Sequence, residues 1–146
     1  MERISSCTDN IVELLQMIVC FTKVREQVLL NNIRLKETPN YQPKDLNCDD
    51  FSTQINAAIT EYLISNRILL RDSETVCFGE NGTFEAKSFL DNEAISLLKH
   101  REDYLKHQAQ KLSQNTTHAI VAKRLIKARK HCLNISAPSL LPRDVV

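Results

Sequence analysis

The chain has 146 residues, 42% of them apolar and 25% charged, with a formal net charge of +1 at neutral pH. That length supports one domain with a real core and is short for two, while the globular composition excludes wholesale disorder. A charge so near zero excludes the basic footprint that targets nucleic acid or anionic lipid.

Two glycines are far fewer than the average of about 7% would supply, which disfavours Gly-rich phosphate loops and favours long helices. The five cysteines, Cys7, Cys20, Cys48, Cys77 and Cys132, are widely spaced and form no CxxC pair. Neither a zinc knuckle nor a redox dithiol is indicated, and they read as small apolar side chains. No apolar run approaches the roughly 18 residues that span a bilayer, and the first residues lack the pattern of a signal peptide. The expected partners therefore include neither nucleic acid nor a membrane.

In chain order, Asn10 with Glu13 three residues later forms a candidate capping box opening the first helix. Ile11, Leu14, Leu15, Ile18, Phe21, Val28, Leu29, Asn32 and Leu35 recur near the helical period, so residues 1–37 are assigned to an N-terminal helix. Thr38 precedes Pro39, which fixes its own φ and drives the residue before it out of the α region, so the helix must stop there. Asn40 tolerates the left-handed conformation of a following turn. Residues 38–90 form a middle segment: a loop to Asn47, a short helix capped by Asp49 or Asp50, then β-prone Ile68-Leu69-Leu70 and Thr75-Val76-Cys77-Phe78. Gly79-Glu80-Asn81-Gly82 supplies a turn before Thr83-Phe84-Glu85, giving a small hairpin or irregular β segment.

Residues 91–131 read as a C-terminal helix capped by Asp91, and 132–146 as a loose tail with Pro138 and Pro142. Leu98, Leu105, Leu112, Ala119 and Ile126 stand at strict heptad spacing, the pattern that keeps one seam against a partner helix. The fold class expected for the single domain 1–146 is mainly α. Its long N- and C-terminal helices pair in a coiled-coil-like manner around a short second helix and a small β segment. Such stripes gain most of their stability from packing, so pairing with each other and then with further copies or partners is expected.

The block Asn31-Asn32-Ile33, followed by Thr38-Pro39 and Tyr41, resembles the N-terminal motif of bacterial flagellar axial proteins, usually Asn-Asn-Ile-Ala-Asn and then Thr-Pro-Gly-Tyr/Phe. Asp45 and Phe51 continue a similar stretch. Leu90-Asp91-Asn92-Glu93 and Tyr104-Leu105-Lys106-His107-Gln108 resemble the entry and a later block of the C-terminal helix in the basal-body rod family, proximal-rod type. Leu35 stands where the family has its last Asn, Asn40 replaces the usual Gly, and the Gly-Asn before the C-terminal helix has no counterpart near Glu85 and Ala86. The resemblance implies a structural, non-catalytic subunit without cofactor. It would be exported through the flagellar type III channel without a cleaved signal peptide, then assemble helically in the periplasmic rod. Other rod subunits, motor-ring and export components and further copies are the partners it implies.

Chemistry-bearing residues have plainer readings. His100, His107, His118 and His131 lack the i,i+4 pairing of helical zinc sites and read as solvated. Asp91, Glu93, Glu102 and Asp103 suit helix starts, where the dipole favours acids, better than acid–base catalysis. Lys123, Arg124, Lys127, Arg129 and Lys130 read as a solvated face near a helix C-terminus. Asn31 and Asn32 are either register-fixing hydrogen-bonders or an ordinary polar helix end, and Tyr41 either an interface anchor or a lid on that end. Rival assignments are another flagellar axial subunit, or a cytoplasmic helical adaptor or secretion chaperone that binds an amphipathic helix.

Overall fold

A computed structural model describes residues 9–136. Helix α1 runs Asn10–Arg34, strand β1 Lys44–Leu46, and helix α2 Cys48–Ser65. Strands β2 (Val76–Phe78), β3 (Phe84–Ala86) and β4 (Ser88–Leu90) follow, then the single-turn α3 (Asn92–Ser96) and the long α4 (Arg101–Ser136). The protein is mainly helical, with a long helix towards each end and small strand pairs between. No helix of the described residues is long and apolar enough to cross a membrane.

Two helix starts are set by side chains one to three positions before the sequence-based choice. Asp9, not Asn10, caps α1 by accepting from Val12 N at 3.0 Å. Asn47, not Asp49 or Asp50, caps α2 by accepting from Asp50 N at 2.9 Å; the two aspartates instead sit in its first turn, where the helix dipole favours them. Helix α1 ends three residues before position 37, because the backbone turns at Leu35 and Asn40 takes a positive φ of 65°. Asn66, also left-handed at φ 61°, ends α2 with its N–H on Tyr62 O.

The core lies between α1, α2 and the β2–β3 hairpin. Leu14, Met17 and Phe21 from α1 meet Leu46, Phe51, Ile55, Ala58 and Val76. Phe21 and Phe51 stack with centroids 4.2 Å apart, and the Phe78 and Phe84 rings of the hairpin tilt against Phe51. The hairpin is the one expected, with Asn81 and Gly82 supplying the positive φ its turn needs. Ile68-Leu69-Leu70 form no strand; Ser73 and Thr75 hydroxyls donate to Asp50 and pin this stretch to the start of α2.

The region 38–47 is not all loop: β1 pairs antiparallel with β4, Asp45 opposite Phe89. Nor is 91–131 one helix. A continuous helix would separate Asp91 from His107 by about 24 Å, yet Asp91 Oδ2 and His107 Nε2 are 2.9 Å apart. The chain therefore bends over residues 97–100, leaving α3 as a separate turn capped by Asp91. At its far end α4 continues to Ser136, so the first residues of the expected loose tail are helical; the remainder of that tail, with Pro138 and Pro142, and residues 1–8, with Cys7, lie outside the described residues.

Candidate functional site

Helices α1 and α4 run antiparallel along each other, and side-chain bonds mark their register. Arg129 donates to Asp9 at 2.7 Å, Asn115 Nδ2 to Thr22 O at 2.7 Å, Arg25 to Gln114 at 3.2 Å, and Asn32 Nδ2 to Gln108 Oε1 at 3.0 Å. The positions of α4 that are fully buried are Tyr104, Gln108, Asn115 and Ala122. The expected seam is thus displaced: Leu98, Leu105, Leu112, Ala119 and Ile126 are all only half-buried. The seam keeps the heptad repeat at Gln108, Asn115 and Ala122 but sits three residues further along, about 60° around the helix, because amides and a tyrosine of α4 find partners on α1 that leucines could not satisfy.

Asn32 is the hub of this seam and is wholly buried. Its Oδ1 accepts from Tyr41 OH at 2.6 Å and Lys44 N at 3.0 Å, while its Nδ2 donates to Lys44 O at 2.8 Å as well as to Gln108. The carboxamide therefore behaves as one peptide unit of an added strand, satisfying the edge of β1 that faces α1. Its backbone carbonyl takes the Tyr104 hydroxyl at 2.7 Å. Burial around that hydroxyl pushes the Tyr104 pKa up to about 12.

Two turns earlier on α1, Arg25 is buried and grips Asp45 with both arms, Nε to Oδ1 at 2.8 Å and Nη2 to Oδ2 at 3.0 Å. Lys111 Nζ bridges Asp45 Oδ2 at 2.7 Å to Asp91 Oδ2 at 3.0 Å. His107 completes the chain on Asp91; a carboxylate can only accept, so the ring proton sits on Nε2. Burial alone would raise the pKa of both carboxyls. The hydrogen bonds from Arg25 and Lys111 to Asp45, and from His107 and Lys111 to Asp91, outweigh it and hold both below the ordinary carboxylate range. Burial likewise works against Lys111, and its two acidic partners reverse the effect and raise it. The network ties α1, β1, the start of α3 and α4 together at one level.

The sequence-selected residues divide accordingly. Asn32 and Tyr41 meet directly, and Asn32 meets Tyr104 and Gln108 of the second motif block, 76 positions away in the case of Gln108. Asn31 is half-buried and its side-chain Oδ1 accepts from Arg34 at 2.7 Å; Ile33 is half-buried; Thr38 and Pro39 lie exposed in the turn, where Tyr41 N reaches Thr38 O. Of the histidines, His107 is not solvated but engaged with Asp91, and Arg129 leaves the basic run to bind Asp9. Cys20, Cys77 and Cys132 are exposed rather than buried as small apolar groups. Arg25 and Lys111 were missed altogether. The available signal was position: Arg25 falls in register with Phe21 and Leu29, and Lys111 with Gln108 and Asn115, on faces that are otherwise buried.

No protein-family model matches the chain, and no curated protein and no solved structure matches it either. Among the described residues no cluster of three or more His, Cys, Asp or Glu is arranged to hold a metal.

Proposed function

We propose that this chain is a structural subunit of the bacterial flagellar basal-body rod, of the proximal type, passing torque from the motor ring towards the hook. The observation that carries the reading is the Asn32 hub. The two sequence blocks that resemble the rod family, Asn31-Asn32-Ile33 with Tyr41 and Tyr104 to Gln108, meet in one hydrogen-bonded knot. A knot of this kind fixes the register of α1 against α4, as a buried Asn does in coiled coils, and a coiled-coil-like pair held in register can carry torque without slipping. In this reading Asn32 works inside the subunit, and other surfaces meet the neighbours. Large apolar side chains left in the open support self-assembly and binding to rod, motor-ring and export components. They include Leu63 and Ile64 on α2, 66% and 78% exposed, and Ile120, Val121 and Leu125 on α4. The role is structural, without catalysis or cofactor, and the place is the periplasmic rod reached by type III export.

Deletion of the gene in its host tests the reading: motility and hook assembly are lost, and purified basal bodies end at the motor ring. A copy lacking Met1–Leu35 fails to restore them because export or assembly is lost. Full motility in the deletion strain overturns the proposal.

A further inference from the structure

The strand pairs share one extended run, residues 84–90. Gly79 N donates to Thr83 O and Lys87 N to Thr75 O; with the register of β2 and β3, Glu85 and Lys87 turn their peptide groups towards β2. Asp91 N donates to Pro43 O, and with Asp45 opposite Phe89 the peptide groups of Phe89 face β1. Lys44, on the intervening position, gives its N–H and C=O to Asn32 instead. Strands β2 and β1 therefore lie end to end along one edge. Phe84, Ala86, Ser88 and Leu90 direct their N–H and C=O groups to the other edge. Each sheet of the described residues has two strands, so this second edge has no strand on it. A row of unpaired peptide groups is a template for another strand, and Phe89 and Leu90 beside it are 46% and 44% exposed.

We infer that this edge pairs antiparallel with the same edge of a second copy of the chain, Ala86 opposite Ala86. Charge selects both the occupant and the register. Glu85 and Lys87 are exposed and share the face opposite to Phe84 and Ala86. Centring the pair on Ala86 sets each Glu85 across from the second copy's Lys87, twice over, in closely spaced positions. Centring it on Lys87 opposes the two lysines, and centring it on Ser88 leaves Lys87 facing Phe89. Of these three registers only the first joins opposite charges, so the exposed Lys87 that would otherwise guard the edge becomes part of the lock. The product is a continuous sheet in the order β2-β3-β3-β2, which gives each marginal two-stranded hairpin the further strands it needs. A contact of this symmetry closes on itself and yields a dimer rather than a filament. The inference stands apart from the flagellar assignment and holds whichever assembly the chain serves.

Sedimentation of the full chain over a concentration series tests it. The unaltered protein forms a reversible dimer. Glu85→Lys and Lys87→Glu each weaken self-association by about tenfold or more, since every cross-strand pair becomes like-charged. An equimolar mixture of the two variants restores dimers, because one copy then offers two acids and the other two bases. Both substitutions are on exposed side chains, and unchanged circular dichroism of each variant checks that folding is intact. A protein monomeric at every concentration overturns the inference. So does a dimer indifferent to both substitutions, or a mixture no more associated than its components.

Discussion

Towards α2 and the hairpin, α1 buries Leu14, Met17 and Phe21 against Phe51, Ile55 and Val76; towards α4 it offers Thr22, Arg25 and Asn32 to Asn115, Gln114 and Gln108. The first surface is apolar and non-directional, so it supplies driving force but tolerates small slides and repacking. The second is made of bonds with fixed partners, each costly to leave unmade once buried. One helix thus gains its stability on one side and its alignment on the other. Two atoms of the polar side, Gln108 Nε2 and Asn115 Oδ1, have no partner among the described residues, so this seam carries a stability cost that the apolar side offsets.

The largest effect should come from the apolar side. Phe51 is 1% exposed and touches three other rings. Phe51→Ala removes that contact and leaves a cavity, destabilising by about 4 kcal/mol, measured by urea unfolding. A loss under about 1 kcal/mol would mean that α2 does not rest on α1 as described.

Next in size is Asp45→Ala, which strands the Arg25 guanidinium in a buried site and costs about 3 kcal/mol by the same measurement. Replacing both partners together, Arg25→Met with Asp45→Leu, should cost far less than the single change, since no charge is left unpaired. The acid limb of stability reads the same network. The folded-state pKa values of Asp45 and Asp91 lie below the unfolded ones. Their contribution is therefore complete above the unfolded value near 4 and is lost as the pH falls through the folded values. Asp45→Asn should flatten that limb; an unaltered acid profile would show that the carboxylate is not held by its cations.

At the alkaline end the sign runs the other way. Tyr104 must stay neutral to donate to Asn32 O, and its pKa is raised to about 12 from an ordinary 10.0. Its contribution is complete below the unfolded value of about 10 and disappears as the pH climbs through the folded one. Tyr104→Phe should remove the step in stability across that window, at a cost near neutrality of about 1 kcal/mol for one hydrogen bond. Persistence of the step in the variant would assign it to another group.

What the sequence made legible follows the same division. Apolar periodicity found α1, α2 and the body of α4 but not the break before it, and turn chemistry found the β2–β3 hairpin, because both signals are local. The β1–β4 pair escaped, since each strand is three residues long and Lys44 finds Leu90 far along the chain. The polar seam escaped for a different reason: periodicity counts apolar residues, and Arg25, Gln108, Lys111 and Asn115 register as interruptions. Asn32, Tyr41, Tyr104 and Gln108 were named through the motif blocks they belong to, and those blocks did not say that Asn32 bonds to the other three.

The smallest expected effect lies where the polar side meets solvent. Asp9 does two things: Oδ1 caps α1 at Val12 N, and Oδ2 takes both Nε and Nη2 of Arg129. Arg129→Ala removes only the ion pair, which is partly exposed, and should cost about 0.5 kcal/mol, diminishing in high salt. Asp9→Ala removes the cap as well and should cost about 1 kcal/mol more, largely independent of salt. Unfolding curves for both variants at low and high salt separate the two contributions. Equal losses would place the whole effect in the ion pair, and register along α4 would then depend on its outer end as much as on Asn32. The difference expected here instead puts alignment in the buried middle of the seam, where water cannot compete for the same bonds.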